Sequence, residues 1–160
     1  MLTFEEMVIR FAVALSLGAI LGVERELVKK EAGVRTEMLV AGGAAIFAMI
    51  GITLPYITAA GLSAAYAGIV AIPDANAVNA GVAVIANIVV GIGFLGAGLI
   101  IKMNDHPHGV TTAAIVWATA AIGVLAGIGL LTFATFSALL FAILLFALRK
   151  LNISQRLEKE

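Results

Sequence analysis

The side chains best equipped for chemistry fall in one run, from Glu24, Arg25 and Glu26 to Arg35, Thr36 and Glu37, the densest stretch of ionisable groups in the chain. Carboxylates at Glu24, Glu26 and Glu31, with Asp105 further on, are the oxygen donors a hard cation such as magnesium takes. His106 and His108 bracket Pro107, a spacing that would suit a transition metal. They lack the third ligand and supporting hydrogen-bond pattern of such a site. Glu24 and Glu26 are therefore the candidate metal ligands, and Mg2+ is the cofactor they could hold. Cysteine is absent, which excludes thiolate ligands and disulfides. No serine, histidine and acid set lies in the apolar segments, so the chain is not expected to be an enzyme.

Two other patterns invite a functional reading. Gly91, Gly93 and Gly96 spell GxGxxG, the dinucleotide fingerprint, but the motif sits inside an uncharged run with no acid about 20 residues on, so nucleotide binding is rejected. In a helix, Asn87, Gly91 and Gly98 share one side while Gly93, Gly96 and Ala97 lie opposite. Two seams of small residues predict a central helix with two close neighbours, and with Asn87 bonded to another helix. The second pattern is Thr112, Val116, Thr119 and Gly123 on one helical face, with Trp117 on another. Threonines on a glycine seam serve either packing or an ion or water path.

These residues must be positioned in a bilayer. Of the 160 residues 62% are apolar and 12% charged, and the mean hydropathy is +1.11; a soluble domain carries roughly 25% charge. The net charge is zero, so nothing argues for nucleic acid. Thr3 and Glu6 stand at capping-box spacing, predicting a helix from about Phe4. Its apolar part, Phe11 to Val23, covers roughly 20 Å of a core about 30 Å thick, so Met7 to Arg10 must join it, with Arg10 snorkelling outward. Ala14, Gly18 and Gly22 form a small-residue ridge; Glu26 continues it toward the bundle while Glu24 lies away.

A second span is expected from Met38 to Leu54, stopped by Pro55 and Tyr56, and a third from about Val78 to Ile101. Val110 to Leu148 is free of charge and long enough for two spans that break at Gly127 to Gly129 and end at Arg149 and Lys150. If 57–72 does not cross, Arg25, Lys29, Lys30, Arg35, Lys102, Arg149, Lys150, Arg156 and Lys159 share the cytoplasmic side, leaving Arg10 outside. The expected fold is thus all-α: a polytopic helical membrane protein of five transmembrane helices, with a short interfacial or re-entrant helix near 57–72. Pro73, Asp74 and Asn76 would turn into the third span. Residues 1–150 form the membrane domain and 151–160 a short cytoplasmic tail without a soluble C-terminal domain. No acid is expected within the spans, and the charged run from 24 to 37 reads either as a paired cluster at the bundle edge or as a plain positive-inside loop.

Four segments carry a family likeness: GVEREL at 22–27, AGVRTEMLVAGGAAIF at 32–47, GIGFLGAGLI at 91–100 and GVTTAAIVWATAAIG at 109–123. In order and spacing they resemble the membrane domain of the MgtC/SapB family. The resemblance implies a bacterial or archaeal cytoplasmic-membrane protein with five spans, N-terminus outside and C-terminus cytoplasmic, associated with growth at low magnesium, survival inside host cells and inhibition of the F-type ATP synthase. It places motif residues at Glu24, Arg25, Glu26, Arg35, Thr36, Gly91, Gly93, Phe94, Gly96, Gly98, Thr111, Thr112 and Trp117. Ala83 and Asn87 stand where relatives commonly have arginine and glutamine, and Glu37 where His or Asn often follows the Arg-Thr pair. The expected function is a regulatory or accessory role in magnesium homeostasis through helix-helix contacts, as a homo-oligomer in the lipid bilayer or with another membrane complex such as F-type ATP synthase. The alternative is a transporter or channel for magnesium or another small ion.

Overall fold

The computed structural model describes residues 2–65 (backbone alone from 60), 75–103 and 106–150. Five helices account for most of them: α1 Phe4–Leu27, α2 Val34–Ala65, α3 Ala75–Leu99, α4 Val110–Ile128 and α5 Leu131–Lys150. All five are long and apolar enough to cross a membrane. The protein is an all-α polytopic membrane protein. A small antiparallel hairpin, β1 Ile101–Met103 and β2 His106–His108, joins α3 to α4 in the register Ile101 to His108 and Met103 to His106.

The helix boundaries follow from local chemistry. Thr3 caps α1: its hydroxyl accepts from the Glu6 N–H at 3.2 Å, and the Glu6 carboxylate accepts from the Thr3 N–H at 2.9 Å, the reciprocal box its spacing predicts. Between α4 and α5 the chain turns at Gly129, whose φ of +96° is a conformation glycine adopts without strain.

At Pro55 the structure departs from expectation. Helix α2 does not stop there but runs on to Ala65, so 57–65 is a continuation of the second span rather than a separate helix. The rest of the expected 57–72 helix, the turn residues Pro73 and Asp74, and the tail 151–160 lie outside the described residues; Asn76 is in the first turn of α3. A helix survives proline in an apolar medium when neighbours compensate for the lost N–H. The carbonyl that loses its N–H partner is that of Gly51, which abuts Gly81 of α3, while the Thr58 hydroxyl shares its proton between the carbonyls of Leu54 and Pro55 at 3.1 and 2.9 Å. On the Pro55 side of the helix Gly51 and Gly81 bring the backbones of α2 and α3 together, and a methyl on Gly81 would meet the Pro55 ring at 3.2 Å.

Backbone approach through glycine also builds the core. A methyl on Gly18 of α1 would lie 2.5 Å from the Glu37 carbonyl oxygen, and one on Gly22 would lie 2.5 Å from the Val34 Cα, so the predicted ridge of Ala14, Gly18 and Gly22 is the seam on which α2 sits. Helix α2 answers with its own small stripe, Ala41, Ala44, Ala45 and Ala48, all buried. Gly123 and Gly127 of α4 press against the Ala41 and Ala45 backbones on the same stripe. Helix α5 closes the other side through Ala134 and Ala138, which join Leu17, Leu21 and Ile122 in one apolar cluster.

Arg10 does not snorkel outward. Its guanidinium turns in under Gly129 and donates to the Gly127 carbonyl at 2.9 Å, at the C-terminal end of α4 where unpaired carbonyls and the helix dipole favour a cation.

The predicted centre of the bundle is also displaced. Only 6% of the α3 span is buried, against 56% for α4. Helix α3 packs on the outside of α2 and α4, and the central element is the crossing of α2 with α4.

Candidate functional site

The polar side chains converge at the end of the bundle formed by the close of α1, the turn 28–33 and the starts of α2 and α4. Arg25 and Glu24 sit side by side there, Nε to Oε2 at 3.2 Å, with side chains only 7% and 12% exposed. They are close enough to attract but not aligned for a hydrogen bond. The Glu26 carboxylate accepts from the Val34 N–H at 3.1 Å and so caps α2, whose first turn has no other side-chain acceptor at that position. Glu26 does continue the Gly18–Gly22 ridge, but it ends exposed at the mouth. Glu24 is the more enclosed of the two, the reverse of the expectation from helical phase alone.

The Thr112 hydroxyl donates to Glu31 Oε2 at 3.3 Å, tying α4 to the turn. Glu31 is held below the usual carboxylate range, mainly by its own backbone N–H, with slight desolvation opposing and the Thr112 hydroxyl adding to the effect.

In the first turn of α2 stands an acid from the charged run whose sequence reads as either a paired cluster at the bundle edge or a plain loop. Glu37 is 0% exposed, and among the described residues neither its carboxylate oxygens nor the equally buried Thr119 hydroxyl makes an aligned hydrogen bond. Thr119 and Arg25 are the groups close enough to act on that carboxylate. There is therefore an acid within a span, contrary to expectation. The signal that could have found it is its phase: Glu37 lies four residues before Ala41 and seven before Ala44, on the buried small-residue stripe of α2.

The remaining motif residues are spread over the outside. The sequence model of the MgtC family matches residues 11–153. The chain belongs to the MgtC family. Among curated relatives it is 37% identical to Protein MgtC of Salmonella typhimurium (strain 14028s / SGSC 2262) over 122 residues, covering 76% of this chain and 43% of that protein. It is 40% identical to Protein MgtC of Brucella abortus (strain 2308) over 121 residues, 76% of this chain and 42% of that one. An uncharacterized protein of Synechocystis sp. shares 34% identity over 149 residues, 93% of this chain and 55% of the relative. The chain thus spans about half the length of the curated relatives it matches. No solved structure matches it.

In this MgtC-family chain the motif residues separate into two groups. Glu24, Arg25, Glu26 and Thr112 belong to the polar end, with Arg35 exposed beside it. Thr36, Asn87 and Gly91 instead line a lipid-facing groove of about 750 Å³ between α2 and α3, together with Val40, Gly43 and Phe47. The Asn87 amide does not reach another helix; it donates to the Ala83 carbonyl of its own helix at 2.9 Å. Among the described residues Gly91, Gly93 and Gly98 meet no neighbour, while Gly96 meets Ala113 at ordinary contact distance. Phe94, Thr111 and Trp117 are exposed, Phe94 to 85%. The face of Thr112, Val116, Thr119 and Gly123 is buried as its periodicity predicts. His106 and His108 lie exposed on β2, and Asp105 lies outside the described residues.

Proposed function

We propose that this MgtC-family chain is an accessory membrane protein of magnesium homeostasis that works through helix contacts made by α3, with a second copy or another membrane complex, rather than by catalysis. The observation that carries this reading is the surface of α3: among the described residues Gly91 and Gly98 on one side and Gly93 on the other meet no neighbour, and Phe94, one turn before Gly98, is 85% exposed. Within the isolated chain these glycines bring no neighbour closer, so it gains nothing from them. A neighbouring helix does, because small residues admit its backbone.

Transport of magnesium is the second reading. It needs several carboxylates or carbonyls converging around a hydrated ion. Glu24 is engaged by Arg25 and Glu26 by the Val34 N–H, and among the described residues no group of three or more His, Cys, Asp or Glu is placed to share a metal. The first reading is favoured for that reason.

Gly98→Leu separates the two. With nothing near Gly98 inside the monomer, the leucine has room and the fold is expected to survive. Chemical cross-linking in membranes should show the dimer or co-purified partner reduced at least tenfold, a loss of about 1.4 kcal/mol or more of association energy. Wild-type association by Gly98→Leu, together with magnesium flux into proteoliposomes, would overturn the accessory role.

The positive-inside count supports an N-terminus outside and a C-terminus in the cytoplasm. Single cysteines at Glu5 and His106 should then react with an impermeant reagent from opposite sides, Glu5→Cys from outside. Labelling of both from one side rules out this orientation.

A further inference from the structure

We propose that Glu37 and Thr119 form a buried site for one monovalent cation, a proton or a sodium ion, in the middle of the α1–α2–α4 bundle. This inference does not depend on the role of α3.

Depth is the first support. Glu37 is in the first turn of α2, which by itself would put it near a membrane surface. Its backbone, however, rests on Gly18, well inside α1, and its carboxylate is within reach of Thr119, midway along α4. The α1–α2 turn therefore delivers an acid to the interior of the bundle. Ionisable groups at such depth are retained at a cost and are most often functional.

Unmet bonding is the second. Among the described residues both Glu37 oxygens and the Thr119 Oγ1 are buried with no aligned hydrogen bond, although buried polar atoms are nearly always satisfied. A carboxylate and a hydroxyl offer hard oxygen donors to a small cation. A proton would serve the same atoms differently, turning the carboxyl into a donor toward Thr119 Oγ1.

Charge selects the valence. The elements packed against Glu37 bring Arg25, itself held by Glu24, from α1, and the uncharged Thr119 from α4. Glu24, Arg25 and Glu37 together carry one net negative charge when ionised. A single positive charge balances the cluster, whereas a divalent ion leaves it positive in surroundings where an uncompensated charge is expensive. The site is thus unsuited to magnesium, whatever the protein does for magnesium elsewhere.

The test uses the purified full chain in nanodiscs, with melting followed in sodium against N-methylglucamine and infrared difference spectra of the protonated-carboxyl band recorded as pH rises. A sodium-dependent rise in melting temperature, lost in Glu37→Gln and needing roughly tenfold more sodium in Thr119→Val, identifies a sodium site. A carboxyl band absent from Glu37→Gln that disappears as pH rises, with no sodium effect, identifies a proton site. Thr119→Val keeps the carboxylate and serves as the readout if Glu37→Gln does not fold. The proposal fails if neither response depends on Glu37 or Thr119. It also fails if the Glu37 band ignores both pH and sodium, which marks a permanently neutral acid, or if magnesium alone stabilises through Glu37.

Discussion

Leucine at Gly123 is expected to leave almost no folded protein. The first carbon of any side chain at that position enters the Ala41 backbone carbonyl of α2, and a carbonyl within a helix has no rotamer by which to move aside. Helices α2 and α4 would have to separate along the seam that buries Val116, Thr119 and Ala120 on one and Ala41, Ala44 and Ala45 on the other. Overpacking commonly costs 1–3 kcal/mol where side chains can adjust; here the main chain must shift, and the cost rises toward the whole stability of a domain, about 5–15 kcal/mol. The measurement is the yield of monodisperse protein by size exclusion in mild detergent. Gly43→Leu is the control: the same substitution meets open space and should leave the melting temperature within a few degrees of the parent. Equal yields from the two variants would show that the α2–α4 crossing is not the core.

Arg25→Leu should be nearly as damaging for an electrostatic reason. The guanidinium is the cation that offsets Glu24 beside it and acts on Glu37 above it, in a place where Glu24 is only 12% exposed. Removing one partner of a buried pair leaves an uncompensated charge and typically costs 3–5 kcal/mol. The double variant Arg25→Leu with Glu24→Leu should recover part of that loss and not all, since Glu37 is left without its nearby cation. Thermal unfolding in detergent across wild type, both singles and the double measures the coupling. If Arg25→Leu melts like wild type, the pair lies in water and the cluster is merely a solvated edge.

Much of the fold was legible because membrane helices announce themselves by composition. The start at Phe4 reflects a capping box and the break at Gly127 to Gly129 a glycine turn, while the ridge of Ala14, Gly18 and Gly22 and the face of Thr112, Val116, Thr119 and Gly123 reflect the 3.6-residue period, and the structure uses each as its pattern predicts. What periodicity does not supply is which of two small-residue faces finds a neighbour. The α3 glycines gave a double seam on paper, yet the bundle centre went to α2 and α4, and α3 meets α2 closely at Gly51 and Gly81, a contact no motif marked. Pro55 signals a stop by the rules of water, where an unpaired carbonyl ends a helix; in this bundle the freed Gly51 carbonyl is covered by the close approach of Gly81 and the helix continues.

The site was legible in part. Glu24, Arg25 and Thr112 proved to be enclosed, but the ranking of Glu24 against Glu26 reversed, and Glu37 was missed. Charge density around Glu37 made it look like loop, while its phase relative to Ala41 and Ala45 tied it to the core. Where composition and phase disagree near the end of a span, phase was the better guide here, because a turn can lower the first residues of a helix below the surface its neighbours define.

The separation of Glu37 and Thr119 along the chain has a consequence for biogenesis. At synthesis rates of about 5–20 residues per second, the roughly 80 residues between them take on the order of 4–16 s to make. During that interval α1 and α2 can already be in the membrane, with the carboxylate on the flank that α4 will later cover. The first two helices cannot complete the environment of that acid by themselves. Assembly of this protein therefore passes through a stage at which its least tolerable side chain waits uncovered, and the arrival of α4 closes the bundle and ends that exposure in one event.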